Sequence, residues 1–124
     1  MSAYRSMLRA KLHRATVTRT DLHYEGSITV DAELLQAADI AEYERVLVAN
    51  VATGQRFDTY AIAGPAGSGV IGVNGAAARM AQVGDILIIM AFALVPDGER
   101  ITPRVVVLDR HNRVQEGPAG SGNH

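Results

Sequence analysis

The chain has 124 residues, 48% of them hydrophobic and 5% aromatic, with 12 basic and 13 acidic side chains and a formal net charge of −1. That length suits one compact domain with a real apolar core, and the balanced charge argues against a nucleic-acid footprint or a polybasic membrane patch. Cysteine is absent, which excludes disulfides, thiolate nucleophiles and cysteine metal sites and fits a reducing, cytoplasmic compartment.

Met1 to Arg14 mixes charges with apolar residues and lacks the continuous apolar stretch of a signal peptide. Lys11 to Thr20 carries the β-branched alternation of a strand (Thr16, Val17, Thr18), and Ile28-Thr29-Val30 predicts a second, short one. Asp31 is placed to cap a helix over Ala32 to Ala38. Arg45 to Val51 and Phe57 to Ala63 read as a hairpin around Ala52-Thr53-Gly54-Gln55, followed by a flexible loop, Gly64 to Gly69, and a strand, Val70 to Val73. Asn74-Gly75-Ala76-Ala77-Ala78 leads into a short helix that Val83-Gly84-Asp85 ends. Ile86 to Val95 is the longest apolar run, too short for a membrane helix and the right length for one or two buried strands. Arg104 to Leu108 is the last strand. Residues 1–115 therefore predict one closed β-barrel domain, and the Gly-rich residues 116–124 a disordered tail.

The peptide bond Gly26-Ser27, in the run Leu22-His23-Tyr24-Glu25-Gly26-Ser27, is chemically suggestive. A glycine carbonyl has no adjacent Cβ to shield it. The following serine hydroxyl can attack that carbonyl if a fold holds the geometry. Alone, a Gly-Ser pair is an ordinary turn.

The surrounding segments resemble the pyruvoyl-dependent aspartate 1-decarboxylase family. The resemblance is carried by Lys11-Leu12-His13-Arg14-Ala15-Thr16-Val17-Thr18, Asp21 to Ser27, Arg56-Phe57-Asp58-Thr59-Tyr60-Ala61-Ile62, Val73 to Ala78 and Val83-Gly84-Asp85. It covers roughly residues 5 to 110 in order. It implies a mainly β fold, a double-psi β-barrel with short helices, assembled as a homotetramer. It implies self-cleavage into 1–26 and 27–124. In that chemistry Ser27 attacks the Gly26 carbonyl to give an ester, β-elimination leaves dehydroalanine, and hydration with loss of ammonia leaves a pyruvoyl group. The ketone condenses with the amine of L-aspartate as a Schiff base and draws off the electron pair left by CO₂, giving β-alanine for pantothenate synthesis. Pyridoxal phosphate performs the same task elsewhere; neither it nor a metal is expected here. A maturation factor stands among the partners the resemblance allows.

The resemblance also assigns roles. Tyr24, Gly26, Ser27 and Thr59 serve processing, Thr59 by polarising the Gly26 carbonyl as an oxyanion donor does. Lys11, Arg56, Thr59, Asn74, Gly75, Ala76 and Ala77 contact substrate. Arg56 offers a planar fork and Lys11 a second positive charge for a carboxylate, although solvated strand charges are the commoner use of such residues. A tyrosine hydroxyl keeps its proton at neutral pH, so Tyr60 suits donation to the carbanion; a barrel aromatic with a capped hydroxyl is the bland alternative. In a regular strand Arg56 and Tyr60 share a face and Thr59 points away, so the assignment predicts a bulge or strand end near Thr59. Asn74-Gly75-Ala76-Ala77 reads equally as a plain turn into a helix. His13 and His23 lack metal-ligand spacing and suit structural or processing roles. Ala49 stands where many relatives have tryptophan, and Arg79 where many have histidine. The competing reading is an uncleaved, non-enzymatic barrel that binds a small anion or a protein. A swapped-hairpin barrel that binds DNA is disfavoured by the charge balance.

Overall fold

A computed structural model describes residues 3–116. In chain order the elements are β1 (Tyr4–Thr16), β2 (Arg19–Asp21), β3 (Ser27–Asp31), α1 (Ala32–Ala38), β4 (Arg45–Asn50), β5 (Arg56–Gly64), β6 (Ile71–Asn74), a 3-10 turn (Gly75–Met80), β7 (Ile86–Pro96), β8 (Arg104–Leu108) and β9 (Val114–Glu116). The nine strands form one sheet in the order β2-β6-β3-β5-β4-β7-β1-β8-β9.

The ends of that order explain the closure. β1 and β2 are one stretch of chain, parted only by Val17 and Thr18, and Thr18 bonds to Ile71 through its amide (2.8 Å) and its hydroxyl (3.0 Å). The same stretch thus pairs with β7 and β8 at one end and with β6 at the other. The sheet therefore returns on itself, which leaves few free edges. Three pairings are parallel, β1 with β8, β2 with β6 and β3 with β5, so the chain crosses over rather than meandering. This is the mainly β, double-psi β-barrel architecture. The inward residues alternate along the strands: Ala10 and Leu12; Ile28 and Val30; Val46 and Val48; Phe57 and Ala61; Ile71 and Val73; Leu87, Ile89 and Ala91.

Several boundaries differ from the sequence expectation. β1 begins at Tyr4, not Lys11, because the eleven residues of β7 pair along all of it, from Tyr4–Pro96 to Thr16–Ile86. The mixed charges of its first half are simply its exposed part. The run from Ile86 is a single long strand. Glu116, the first residue of the expected tail, ends β9; residues 117–124 lie outside the described residues. Register shifts fall in β1, between Leu8 and Ala10 and between His13 and Ala15, and where β8 meets β9, between Val107 and Leu108. β5 pairs evenly with β4 from Ala49–Arg56 to Arg45–Tyr60, with no bulge at Thr59.

The loop expected to be flexible is tied down. Asp31 is buried, and its carboxylate accepts from the amides of Glu33 (2.8 Å), Gly67 (2.9 Å) and Gly69 (2.8 Å). One side chain thus caps α1 and anchors the loop. Asn112, also buried, accepts from the Thr16 amide and donates to the Thr16 and Gly69 carbonyls, each at 2.8 Å. Asp31→Ala would remove the cap and strand the half-buried Gly67 amide and the buried Gly69 amide. We expect a loss of about 3 kcal/mol, read as a lowered urea midpoint, with Asp31→Asn losing less.

A second network holds the 3-10 turn. Asn50 donates through Nδ2 to the Asp85 carboxylate (2.9 Å) and the Met80 carbonyl (3.0 Å), and the Gln82 amide donates to Asp85 (2.9 Å). The Asn50 hydrogen bond, and then the Gln82 amide, lower the Asp85 pKa below its ordinary value. A carboxyl lowered by folding adds stability above its unfolded pKa, near 4, and loses it as pH falls through the lower folded value. Below about pH 4 the urea midpoint should therefore fall more steeply for the unaltered chain than for Asp85→Asn. Equal slopes would contradict that.

Candidate active site

Three elements converge on Ser27. It opens β3 and is buried, with 1% of its surface exposed. β6 lies antiparallel on one side and sets Asn74 directly against it. The Asn74 side chain is also buried and donates through Nδ2 to the hydroxyls of Ser27 and Thr29, both at 2.9 Å. Asn74 sits at the cap position of the 3-10 turn but makes no side-chain cap bond. Its amide is spent on the serine instead. Because Ser27 Oγ accepts that bond, its own proton is free to be given away.

β5 lies parallel on the other side of β3, with Ile28 against Ala61. Extending that register one step sets Ser27, the first residue of β3, level with Tyr60. Ser27 and Tyr60 do share a cleft of about 310 Å³ with Tyr24, Glu25, Tyr43 and Ile62. Thr59 lies on the opposite face of β5 from Arg56 and Tyr60, since the strand is regular there. A larger groove, about 350 Å³, is lined by Ser6, Arg45, Val46, Leu47, Asp58 and Phe92. It holds neither Ser27 nor Tyr60, so size does not locate the chemistry.

Gly75 follows Asn74 with φ +69. A Cβ at Gly75 would meet the backbone of Gly26, so the turn packs directly on the suspect peptide bond. Ala76 is exposed and Ala77 half-buried just beyond it.

The cationic residues are elsewhere. Lys11 pairs with Met90, Met90 with Leu47 and Leu47 with Asp58, so three strand spacings, about 14 Å, separate Lys11 from β5. Arg56 lies four residues before Tyr60, about 13 Å along β5. Neither makes an ion pair among the described residues, unlike Arg9 with Glu44 or Arg45 with Asp58. Ala49, buried on β4, lies opposite Arg56. Arg79 is exposed beside Thr53 and Gln55. His23 is exposed, and its amide donates to Asp21 (3.0 Å). His13 is half-buried on β1. Among the described residues no cluster of His, Asp or Glu is placed to hold a metal ion.

Tyr43 went unnoticed in the sequence. Its ring lies 6.4 Å from that of Tyr60, tilted 40°, over the same cleft. Its φ is 71°, a costly value for a bulky residue. The amide of Tyr43 donates to the Ala61 carbonyl (2.6 Å), and Glu42 accepts from the Ala63 amide (3.0 Å), so this turn is clamped to β5. An isolated aromatic between two glutamates carries no periodic signal that would have marked it.

The aspartate decarboxylase family model matches residues 3–115. The chain belongs to that family. An aspartate 1-decarboxylase of Methylibium petroleiphilum is 58% identical over 113 residues, covering 90% of this chain and 94% of its own. One of Syntrophobacter fumaroxidans is 58% identical over 111 residues, covering 88% and 90%. One of Laribacter hongkongensis is 55% identical over 118 residues, covering 94% and 93%. The family is one of lyases.

Proposed function

We propose that this chain is an aspartate 1-decarboxylase that cleaves itself between Gly26 and Ser27, turns Ser27 into a pyruvoyl group, and converts L-aspartate to β-alanine and CO₂ for pantothenate synthesis. The observation that carries the reading is the buried Ser27 hydroxyl held by Asn74 at the floor of a cleft that also contains Tyr60.

The steps balance. Ser27 Oγ bonds to the Gly26 carbonyl carbon, the peptide C–N bond breaks, and the hydroxyl proton ends on the new Ser27 amine. Loss of the Ser27 α-proton then expels the Gly26 carboxylate and leaves dehydroalanine, which adds water and releases ammonia. The donor set suits the product: the Asn74 amide, aimed at an oxygen on the Ser27 side chain, can donate equally to a carbonyl oxygen. When formed, the ketone supplies the electron sink for decarboxylation.

The other residues do what their chemistry allows. The Tyr60 hydroxyl delivers a proton to the carbon that CO₂ leaves. Thr59 and Tyr24 hold the bond to be cut. Asn74, Gly75, Ala76 and Ala77 line the substrate with small or hydrogen-bonding groups. Lys11 and Arg56, without carboxylate partners of their own, hold the carboxylate that stays. Their separation from Ser27 in one chain favours an assembly in which neighbouring copies complete each site, in line with a homotetramer. The absence of cysteine is in keeping with a cytoplasmic site of action. Cleavage by the purified chain alone would mean that no maturation factor is required.

Borohydride reduction in the presence of L-aspartate tests the reading. It should leave the substrate carbon skeleton attached to fragment 27–124, with turnover lost. Attachment to Lys11, or none at all, would defeat it.

A further inference from the structure

We propose that Gly75 is a positioning residue for self-cleavage: its missing side chain lets the turn after β6 seat the backbone of Gly26 and so fixes the scissile carbonyl over Ser27. The inference rests on the self-processing reading above and adds a second role to a residue considered so far only for substrate.

The geometry is specific to this glycine. An alanine Cβ at Gly75 would fall 2.8 Å from Gly26 Cα, 2.9 Å from Gly26 N and 3.2 Å from the Tyr24 carbonyl oxygen. All three are main-chain atoms, so no rotamer change relieves the overlap. The backbone on the acyl side of the scissile bond must move. Asn74, one residue earlier, holds the nucleophile of that same bond at 2.9 Å. Asn74 and Gly75 together thus grip the reaction from both ends, the hydroxyl by a hydrogen bond and the acyl residue by contact. Shifting one end while the other stays fixed alters the angle at which Oγ meets the carbonyl. Intramolecular attack depends steeply on such placement. Gly26 itself has open space where a Cβ would point. The steric demand lies on the seat, not on the residue seated.

Gly54 supplies the control. Its φ is +76, close to the +69 of Gly75, but a Cβ there meets nothing within 4 Å. Alanine at either position is strained alike by its backbone; only at 75 does it press on Gly26. Full-length Gly75→Ala, Gly54→Ala and unaltered chains are followed by intact mass over time. Each glycine variant is also melted in a Ser27→Ala background that cannot cleave. Gly54→Ala should cleave like the unaltered chain, and Gly75→Ala about 100-fold more slowly, while the two uncleavable forms melt within a few degrees of each other. Equal cleavage of the two variants would overturn the inference. So would a much lower melt for Gly75→Ala, which would make Gly75 a general support of the fold. An unaltered chain that never cleaves would instead refute the self-processing reading itself.

Discussion

Ser27→Ala should purify as a single chain, stay whole on prolonged warming and decarboxylate no L-aspartate. Alanine has no Oγ, so no ester can form and no ketone can follow. The fold should survive. The lost hydroxyl is small, and Asn74 keeps its bond to Thr29 and its place in β6. One buried hydrogen bond is worth about 1 kcal/mol, a modest fall in thermal midpoint. The loss of turnover is of another order. Without an electron sink the carbanion has no stabilisation, and the full enzymatic acceleration, at least about a million-fold, disappears. Residual turnover by an uncleaved Ser27→Ala chain would mean that the electron sink lies elsewhere in the protein.

Tyr60→Phe separates cofactor formation from its use. The Tyr60 ring packs against Tyr43, and phenylalanine preserves that contact. In the proposed reading cleavage uses Ser27, Tyr24, Asn74, Thr59 and the Gly75 seat, and losing one hydroxyl at Tyr60 alters none of those groups. The variant should therefore yield both fragments at the normal rate. Its kcat should fall by about 10² to 10⁴, the usual worth of a placed general acid, with KM little changed. A normal kcat would remove Tyr60 from the proton step. Failure to cleave would assign Tyr60 to processing as well.

Much of the barrel was legible because its inward residues are apolar at every second position, as with Val46 and Val48 or Leu87 and Ile89. The helix after Asp31 was legible through its cap. What stayed hidden was non-local. Asn112 joins Thr16, 96 residues earlier in the chain, to Gly69, 43 residues earlier, and nothing in its own neighbourhood announces it. The exposed half of β1 reads as mixed charge until β7 is laid beside it. At the site, Ser27 and Asn74 were each recognisable from motif, yet their pairing required the antiparallel register of β3 with β6. The bulge or strand end expected at Thr59 came from reading β5 alone. β5 instead runs unbroken from Arg56 to Gly64, paired with β4 on one side and β3 on the other. Lys11 and Arg56 looked like one cationic pair in sequence, but three strand spacings part Lys11 from β5 within one chain.

The most direct test is the intact mass of the purified, unaltered protein. Two fragments should appear, 1–26 and 27–124. The larger should be lighter, by the mass of one ammonia, than a fragment that begins with an unmodified serine. A single uncleaved chain, or a 27–124 fragment that still carries a serine amine, would contradict the conversion of Ser27 into the cofactor.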